Sequence, residues 1–462
     1  MKLKEIRLKN FRCYEDLTVP LHEQLTVLVA PNGQGKTAIL DAISIALWDF
    51  VKKFDLAKPS PAYNIGISKN DIRIIKDIEE IVEYRLQGGM IRQLDTEIIA
   101  TDLNNFTWKR YKDSETAGSR TKEDSNARLL QKKAQKIQKN IRNSQLEVQD
   151  LPLFAYYGTG RLWHEKRLMK KQRQNKNDKK IRTFAYQNSL DPASSYKQFE
   201  DWFIQKYKEL SREYAISRET KEDISEIFRK IQSEIANVSD AINIVLKIVE
   251  WRNPEYSEIF DNEIVLEHPQ HGLLKLNQLS DGIQNIFGMV ADIAYRCYLL
   301  NSHLNENAAK ETEGIVLIDE VDMHLHPAWQ QTILQDLKIA FPKLQFIVTT
   351  HSPQVLTTVR SECIRMIDGQ NIYFAPAGTK GAEASRLLDR IFGVKNRPPQ
   401  DENTLMLAEY RRLVYKDEWN SEKALALRKQ LDVIFQNEEP ELTALDLYID
   451  NREWEMSLEE NQ

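Results

Sequence analysis

The sequence predicts an α/β fold, with a mixed central sheet flanked by helices, helical insertions and a helical C-terminal region. Short apolar runs have the length and composition of strands that are buried on both faces of a sheet. These runs lie at 25–30, 151–158, 314–319 and 344–350. The stretch AILDAISIALWDF at 38–50 has apolar residues at helical spacing, and from about 381 onward the chain has helical patterns only.

The order of these elements divides the chain into four predicted segments. A strand pattern opens at the N-terminus, and core-like strands and helices resume in the second half of the chain. Between them lie a lysine-rich stretch, a strongly basic segment and long helical patterns. The predicted segments are 1–110, the N-terminal half of the core; 111–265, the insertion with the basic segment and helices; 266–378, the C-terminal half of the core; and 379–462, a helical interaction region.

Composition excludes several classes of protein. The formal net charge of the 462 residues is −5, so no global positive field favours nucleic acid. The three cysteines are far apart in the sequence and form no CxxC pair, which favours a reducing compartment. No apolar run reaches the ~18 residues that a membrane helix needs, and the first residues lack the apolar region of a signal peptide. We therefore expect a cytoplasmic protein without membrane contact.

Residues 25–40, LTVLVAPNGQGKTAIL, nearly match the phosphate-binding loop pattern G-x-x-x-x-G-K-[ST]. The one departure is Ala30, which stands where the pattern has its first glycine. The loop follows a predicted buried strand and opens a predicted helix, so its backbone N–H groups can bind phosphate oxygens. Alanine is compatible with this position if its φ is negative.

Within the loop, each residue type has a chemical use in binding ATP with Mg²⁺. Asn32, Gly33 and Gly35 allow the tight backbone path around the phosphates. Lys36 can reach the outer phosphates, and the hydroxyl of Thr37 can ligate Mg²⁺. These five residues are the predicted nucleotide contacts of the loop.

Two further motifs end predicted strands. In VLIDEVDMHLHP, Asp319 fits a metal ligand opposite Thr37, and Glu320 fits the general base that polarises an attacking water. In TTHSP, His351 follows the next apolar strand and could donate a hydrogen bond to the γ-phosphate. Because parallel strands bring their carboxyl ends to one edge, these side chains should meet there.

The stretch LSDGIQ at 279–284 precedes a predicted helix by one turn or less. Ser280, Gly282 and Gln284 lie where a helix N-terminus could receive a phosphate group. Alone, this pattern is weakly specific. It becomes informative because it stands about 35 residues before the two acids.

The order APNGQGKT, LSDGIQ, VLIDE, VD, TTHS resembles the ATPase head of the ABC superfamily, in the branch of SMC, RecF and overcoming-lysogenization proteins. The resemblance covers roughly 1–50 and 270–375, and it identifies the two core halves as an ABC-type P-loop ATPase head. It implies that Ser280, Gly282 and Gln284 act on ATP bound at Lys36 of another subunit. It also implies that Asp322 lies at that dimer interface. The glutamine loop of such heads stays unassigned, with Gln149 or a residue near YYGTGR as candidates.

The short insertion, HLHP after the acids, AYYGTGRLW and the tail GAEASRLLDRIFGVKNRPP are similar to PtuA-type ATPases of Septu and some retron anti-phage systems. This resemblance implies an ATPase subunit that binds Mg-ATP at composite interfaces and regulates an associated HNH nuclease subunit, PtuB-like. It further implies a homo-oligomer built from head-to-head dimers. A RecF-like or SMC-like DNA-repair or DNA-clamp ATPase without a nuclease is the alternative, and a self-contained nuclease is a weaker one.

Several features admit two interpretations. The basic segment 161–182 could contact nucleic-acid phosphates or be a solvated insertion, with Arg161 placed nearer the nucleotide. His324 and His326 have a spacing that a metal could use, but the family resemblance implies that they order the loop after the acids, and we favour that role. Asp446 and Asp450 lie one helical turn apart, and we interpret them as a solvated helix face rather than a metal site.

Overall fold

The computed structural model describes most of the chain. The described residues are 1–57, 65–76, 90–116, 119–142, 148–160, 181–192, 196–220, 225–436 and 438–460. They form two compact units, Met1–Leu387 and Leu388–Gln462. The four-segment division made from the sequence stays a prediction.

The strands of the described residues all lie in the first unit. They are β1 (Leu3–Phe11), β2 (Tyr14–Pro20), β3 (Leu25–Val29), β4 (Ile74–Lys76), β5 (Met90–Arg92), β6 (Thr96–Asp102), β7 (Thr107–Lys112), β8 (Lys122–Glu123), β9 (Leu153–Tyr157), β10 (Arg252–Ser257), β11 (Glu263–His268), β12 (Gly272–Lys275), β13 (Gly314–Ile318), β14 (Leu344–Thr349), β15 (Ile364–Asp368) and β16 (Asn371–Phe374).

The α-helices among the described residues surround the sheets or follow them. They are α1 (Lys36–Val51), α2 (Ser125–Ile141), α3 (Lys197–Thr220), α4 (Glu226–Val245), α5 (Asp281–Leu300), α6 (Ala308–Glu311), α7 (Pro327–Gln330), α8 (Ile333–Ala340), α9 (Pro353–Leu356), α10 (Ala384–Phe392), α11 (Glu402–Val414), α12 (Glu422–Phe435) and α13 (Pro440–Glu460).

A six-stranded mixed sheet forms the centre of the first unit, in the order β16-β15-β3-β14-β13-β9. Its strands are parallel except for β16, which pairs antiparallel with β15. All residues of β3, β9, β13 and β14 are buried, as expected for apolar strands covered on both faces. The predicted mixed α/β fold, including the four core strands and α1, is confirmed.

A second, antiparallel sheet has the order β2-β1-β6-β7-β8 and packs against α1. The N-terminal strand predicted from the sequence is therefore real, but it belongs to this sheet. Trp108 on β7 donates from its indole nitrogen to the carbonyl oxygen of Ala46 at 3.0 Å. Arg110, two residues further on, donates to the carbonyl oxygen of Ile45 at 2.8 Å. These bonds fix β7 against the helix that starts at the phosphate loop.

The helix α5 lies at the centre of the helical layer and is buried along most of its length. Its Asp292 accepts hydrogen bonds from Tyr157 of β9, at 2.8 Å, and from Arg296, at 2.7 Å. Arg296 also donates to the carbonyl oxygens of Ala185 and Gln187. The buried charges are thus paired and hydrogen-bonded, and they fix α5 on the edge strand of the central sheet.

The second unit has its own apolar core, contributed by α11, α12 and α13. Asp401 and Ser421 cap the first two of these helices by accepting backbone N–H bonds from Thr404 and Ala424. Asp446 forms an ion pair with Arg428, which agrees with its interpretation as a residue of a polar helix face.

Hydropathy gives no indication of a membrane span. Among the described residues, every helix is either too short or too polar to cross a bilayer.

Candidate nucleotide-binding site

The predicted motifs meet at one edge of the six-stranded sheet. Because β3, β14, β13 and β9 are parallel neighbours, their carboxyl ends lie side by side. The glycine-rich loop follows β3, the two acids follow β13, and His351 follows β14. This is the edge at which open α/β sheets bind ligands.

The glycine-rich loop holds its shape through residues on two sides. Gly33 and Gly35 both have φ of 80°, the left-handed region that favours glycine. A Cβ atom on Gly35 would lie 2.6 Å from Cys13 Sγ and from Tyr14 Oη. Tyr14 donates its hydroxyl to the carbonyl oxygen of Gln34 at 2.7 Å, so the first hairpin supports the loop from behind.

Ala30 satisfies the condition set by the sequence. It is not among the residues with positive φ, and it is 3 % exposed. Its side chain therefore fits the entrance of the loop, and the missing glycine does not disrupt the site.

Lys36 is the buried cation of the loop. Its ammonium group donates to the carbonyl oxygens of Ala30 at 2.9 Å and Pro31 at 3.3 Å. Burial lowers the pKa of Lys36, while the nearby carboxylates of Asp319, Glu320 and Asp322 act to raise it. The loop thus holds the ammonium group of Lys36 at the carbonyl oxygens of its first two residues, near three acids.

A hydroxyl–carboxylate network joins the three core strands. Thr37 donates to one oxygen of Asp319 at 2.8 Å, and Thr349 donates to the other at 2.6 Å. The hydroxyl of Thr349 also accepts the backbone N–H of Glu320 at 2.7 Å. The pairing of Thr37 with Asp319 was predicted. The role of Thr349 was not, although it stands in the quoted TTHSP motif.

The Thr37 hydroxyl and the Asp319 carboxylate are hard oxygen donors that face each other at hydrogen-bond distance. That donor set fits Mg²⁺, which is commonly bound by one or two carboxylates together with substrate phosphates. The two residues therefore fit Mg²⁺ by the type of their donor atoms and by the 2.8 Å distance between them.

Glu320 has a strained backbone. Its φ is 49°, a conformation that costs a non-glycine residue about 1–2 kcal/mol. The adjacent backbone holds it there, since Val321 donates its N–H to the carbonyl oxygen of Thr349 at 3.0 Å. Thr350 donates to Asp322 at 2.5 Å and fixes the next turn. Such strain is typical of functional positions.

His351 lies close enough to the loop cation to respond to it. Partial burial lowers the pKa of His351, and the charge of Lys36 lowers it further. The imidazole is therefore neutral at pH 7 and can donate one N–H. Thr349, two residues before His351, donates to Asp319 at 2.6 Å, so His351 lies at the same sheet edge as the two acids.

The LSDGIQ segment begins α5, with Ser280 as the residue before its first turn. Ser280 and Asp281 are exposed, so a second molecule could reach them. Gln284 is 1 % exposed, and its side-chain amide donates to the carbonyl oxygen of Leu279 at 2.5 Å. In this conformation Gln284 supports the start of the helix, and its direct contact with nucleotide stays a prediction.

Gly282 connects this segment to the loop that follows the acids. A Cβ atom at Gly282 would lie 2.3 Å from the carbonyl oxygen of His324. No sequence pattern predicts this contact, because the two residues are 42 positions apart. His326 accepts the backbone N–H of Ala328 at 3.3 Å and caps α7, in agreement with a loop-ordering role.

The metal alternative for His324 and His326 finds no support. Among the described residues, one group of three possible ligands lies close together, and it is His22, Glu362 and Cys363. There, Nδ1 of His22 accepts the backbone N–H groups of Gln24 and Leu25. The proton then resides on the other ring nitrogen, which disfavours metal binding.

Two remaining predictions concern the ends of β9. Gln149 precedes this strand and lies at the amino edge of the sheet, away from the loop. Gly158 to Gly160 follow it at the carboxyl edge, where Asp319 donates its N–H to the carbonyl oxygen of Tyr157 at 2.8 Å. Arg161 and the basic segment up to residue 180 lie outside the described residues.

Three relatives that cover most of this chain come from retron and Septu systems. A retron Ec83 probable ATPase of Escherichia coli is 29 % identical over 100 % of this chain and 89 % of its own length. A retron Vc95 probable ATPase of Vibrio cholerae is 28 % identical over 84 % and 79 %. A Septu protein PtuA of Bacillus thuringiensis is 22 % identical over 95 % of each chain. The predicted resemblance to this group is confirmed.

The sequence profile of the AAA ATPase domain family matches residues 1–356. That range contains the phosphate loop, the LSDGIQ segment, the two acids and His351. The predicted ATPase activity agrees with this match, and the chain belongs to the AAA ATPase domain family.

Proposed function

We propose that this chain is the ATPase subunit of an anti-phage defence complex and binds Mg-ATP at composite interfaces between subunits. The observation that carries the proposal is the network at the sheet edge. Through Thr349, it joins Thr37, Asp319 and Glu320 by contacts of 2.6–2.8 Å, and Lys36 directly precedes Thr37 in the loop. The defence role is supported by similarity over nearly the whole chain to retron and Septu ATPases.

In the proposed reaction, water attacks the γ-phosphorus of ATP, and the bond from that phosphorus to the oxygen bridging the β-phosphate breaks, so that ADP and inorganic phosphate leave. Glu320 orients the water and accepts its proton, while Lys36 and the loop N–H groups stabilise the phosphate charge. Neutral His351 donates a hydrogen bond to the same phosphate. Mg²⁺, held by Thr37 and Asp319, would neutralise phosphate oxygens when bound.

The second half of the site would come from another subunit. Ser280 is exposed at the N-terminus of α5, where N–H groups and the helix dipole attract an anion. In a head-to-head dimer, this helix end faces the phosphate loop of the partner, and Gly282 lets it approach closely. ATP would then join two heads, and hydrolysis would release them.

The proposal is tested by substituting the cation and the base separately. Lys36→Ala should weaken ATP binding about 10- to 100-fold, since a charged hydrogen bond contributes about 1.5–3 kcal/mol. Glu320→Gln should leave ATP binding intact and lower turnover by about 100-fold or more. Binding is measured by calorimetry and turnover by phosphate release. Glu258→Gln, an exposed acid far along the chain, is the matched control.

Unchanged hydrolysis in Glu320→Gln would refute the assignment of the base. Unchanged affinity in Lys36→Ala would refute the nucleotide site itself. If both variants behave as expected, the Glu320→Gln chain should also form more dimer with ATP than the native chain does, as measured by analytical ultracentrifugation.

The associated subunit is proposed to be an HNH nuclease of the PtuB type, located with the ATPase in the cytoplasm. Co-purification from the native host, followed by mass measurement, tests this directly. A RecF-like clamp instead requires salt-sensitive binding of duplex DNA by the ATPase alone. Such binding, with no nuclease recovered, would replace the defence proposal by the clamp.

A further inference from the structure

A second polar cavity lies away from the nucleotide site. It has a volume of about 720 Å³, within the range of about 300–1,000 Å³ that is typical of small-molecule sites. Its walls come from the end of α1, from β7 and from the segments on either side of them. The charged residues that line it are Lys52, Lys69, Arg110, Lys112, Glu115, Arg120 and Glu123.

The positive charges in this cavity exceed the acids available to them. Glu123 pairs with Lys52, and Glu115 pairs with Arg92 outside the lining. Among the described residues, no acid forms an ion pair with Lys69, Lys112 or Arg120. Within the part of the chain that the structure describes, the lining therefore presents three cations without a carboxylate partner, which is the charge pattern of an anion site.

Two of the five cations that line the cavity, Lys112 and Arg110, are buried, and burial raises the cost of an incompletely compensated charge. Lys112 is 4 % exposed, and its partners among the residues with described positions are two neutral atoms of Ser119, at 2.6 and 2.7 Å. The acid next to it in the chain, Asp113, pairs with Lys122 instead. A buried ammonium with neutral partners alone is unfavourable unless an anion compensates it.

Arg110, also 4 % exposed, has an acid near it but shares that acid with a second cation. One of its terminal nitrogens donates to the carbonyl oxygens of Ile45 and Ile65. Its Nε has no hydrogen-bond partner among the described residues and lies 3.6 Å from a carboxylate oxygen of Asp49. That carboxylate also pairs with Lys52, so one acid serves two cations.

The rest of the lining fits the non-phosphate part of a nucleotide. Trp48 is half-buried, and Ile65 and Ile67 are buried, so together they offer an aromatic and aliphatic wall. Ser68 and Thr121 add hydroxyl groups. An aromatic face beside cations is the combination that binds a base and its phosphates.

We propose that this cavity binds a small phosphorylated nucleoside, separately from the ATP at the phosphate loop. The two sites share α1, which begins at Lys36 and ends next to Lys52. They are therefore about 24 Å apart along the helix, at 1.5 Å per residue. The bonds from Trp108 and Arg110 to α1 connect the cavity to the helix that carries the loop.

The test uses the full-length chain with Lys36→Ala, which weakens the first site. The probe is ADP carrying an N-methylanthraniloyl fluorophore, and its binding is followed by anisotropy. We expect this chain to bind one probe per molecule and to release it to inorganic triphosphate. Adding Lys69→Gln with Arg120→Gln, both at exposed positions, should weaken binding by about tenfold or more, since each charge contributes a strong hydrogen bond.

Lys133→Gln is the matched control, since Lys133 is exposed on α2 and does not line the cavity. Lys112→Met, checked for folding by thermal denaturation, should abolish binding. Equal affinity in the Lys69→Gln/Arg120→Gln chain, or no binding by the Lys36→Ala chain, overturns the proposal. Binding of a single-stranded oligonucleotide that inorganic triphosphate does not displace also overturns it, in favour of a nucleic-acid surface. None of these outcomes depends on the hydrolysis assays that test the proposed function.

Discussion

At the scale of single residues, the two glycines of the phosphate loop have the same backbone conformation but different packing. Comparing them distinguishes the two reasons for which a loop can require glycine. Gly33 and Gly35 share φ of 80°, but their surroundings differ. A Cβ atom at Gly33 would have nothing within 4 Å, whereas one at Gly35 would collide with Cys13 and Tyr14. The pattern requires glycine at position 35 for both reasons and tolerates other residues at 33 at a smaller cost.

Gly35→Ala should therefore reduce ATP affinity and thermal stability more than Gly33→Ala does. Each substitution costs about 1–2 kcal/mol for the left-handed backbone. Only the first must also displace Tyr14 from its hydrogen bond to Gln34. Calorimetric titration with ATP and thermal denaturation measure the two effects. Equal losses in the two variants would show that the hairpin does not support the loop.

Thr349 is a positioning residue, since it holds Asp319 and Glu320 at once. Thr349→Val keeps the shape of the side chain and removes both hydrogen bonds. We expect turnover to fall about 10- to 100-fold, as for other groups that orient metal ligands. ATP affinity should fall much less. Binding and phosphate release are measured on the same preparation.

Thr357→Val is the control for this substitution, because the Thr357 hydroxyl bonds only the nearby carbonyl oxygen of Gln354. A second readout distinguishes positioning from general destabilisation. The Mg²⁺ concentration that gives half-maximal turnover should rise in Thr349→Val and stay unchanged in Thr357→Val. An unchanged Mg²⁺ dependence would contradict the assigned role of Thr349.

At the scale of elements, sequence patterns predicted what is local and missed what is long-range. The order of phosphate loop, acids and histidine predicted that these residues meet at one edge of a sheet, because parallel strands align their carboxyl ends. The strand LTVLV and the helix that begins at Lys36 were predicted from apolar periodicity. The pairing of β1 with β6 was not, since it joins residues about 90 positions apart and depends on tertiary packing.

The burial of Gln284 and the contact of Gly282 with His324 are further features that the sequence patterns did not predict, because they depend on tertiary packing. Nothing in LSDGIQ distinguishes a side chain that faces a second subunit from one that supports its own helix. The outcome depends on the loop after the acids, which lies against the start of α5. This contact joins the LSDGIQ segment to the loop after the acids within one chain. A substitution in either of them is therefore expected to shift the other.

Gly282→Ala should disrupt that contact. Alanine favours a helix over glycine by about 1 kcal/mol, so the substitution should stabilise α5 if space allowed it. With the His324 oxygen 2.3 Å from the new Cβ, we expect a net loss of about 1–3 kcal/mol and slower hydrolysis. Lys230→Ala, at an exposed position of α4 away from the LSDGIQ segment, is the control. Higher stability in Gly282→Ala would show that the contact is absent in solution.

At the scale of the whole molecule, the second unit carries an unusual share of exposed apolar side chains. Among its exposed residues are Leu425, Val433, Leu447 and Trp454, of which Val433 is 73 % exposed. Its core is formed by other residues of the same three helices. Contiguous exposed apolar residues are typical of surfaces that bind other proteins, and the interaction role of this region stays a prediction.

We expect Leu425→Glu with Val433→Glu to abolish recovery of the proposed nuclease subunit while leaving ATP hydrolysis and thermal stability unchanged. The two residues lie on α12 and line one shallow pocket, and a charge there opposes burial against an apolar partner. Ile259→Glu, at an apolar residue of the first unit that is 91 % exposed, controls for added negative charge. Affinity capture followed by mass spectrometry reports the partner.

If the nuclease is recovered equally with both variants, it binds elsewhere on the ATPase. If hydrolysis falls with the α12 variant alone, the second unit acts on the nucleotide site, and its role as a docking surface is refuted.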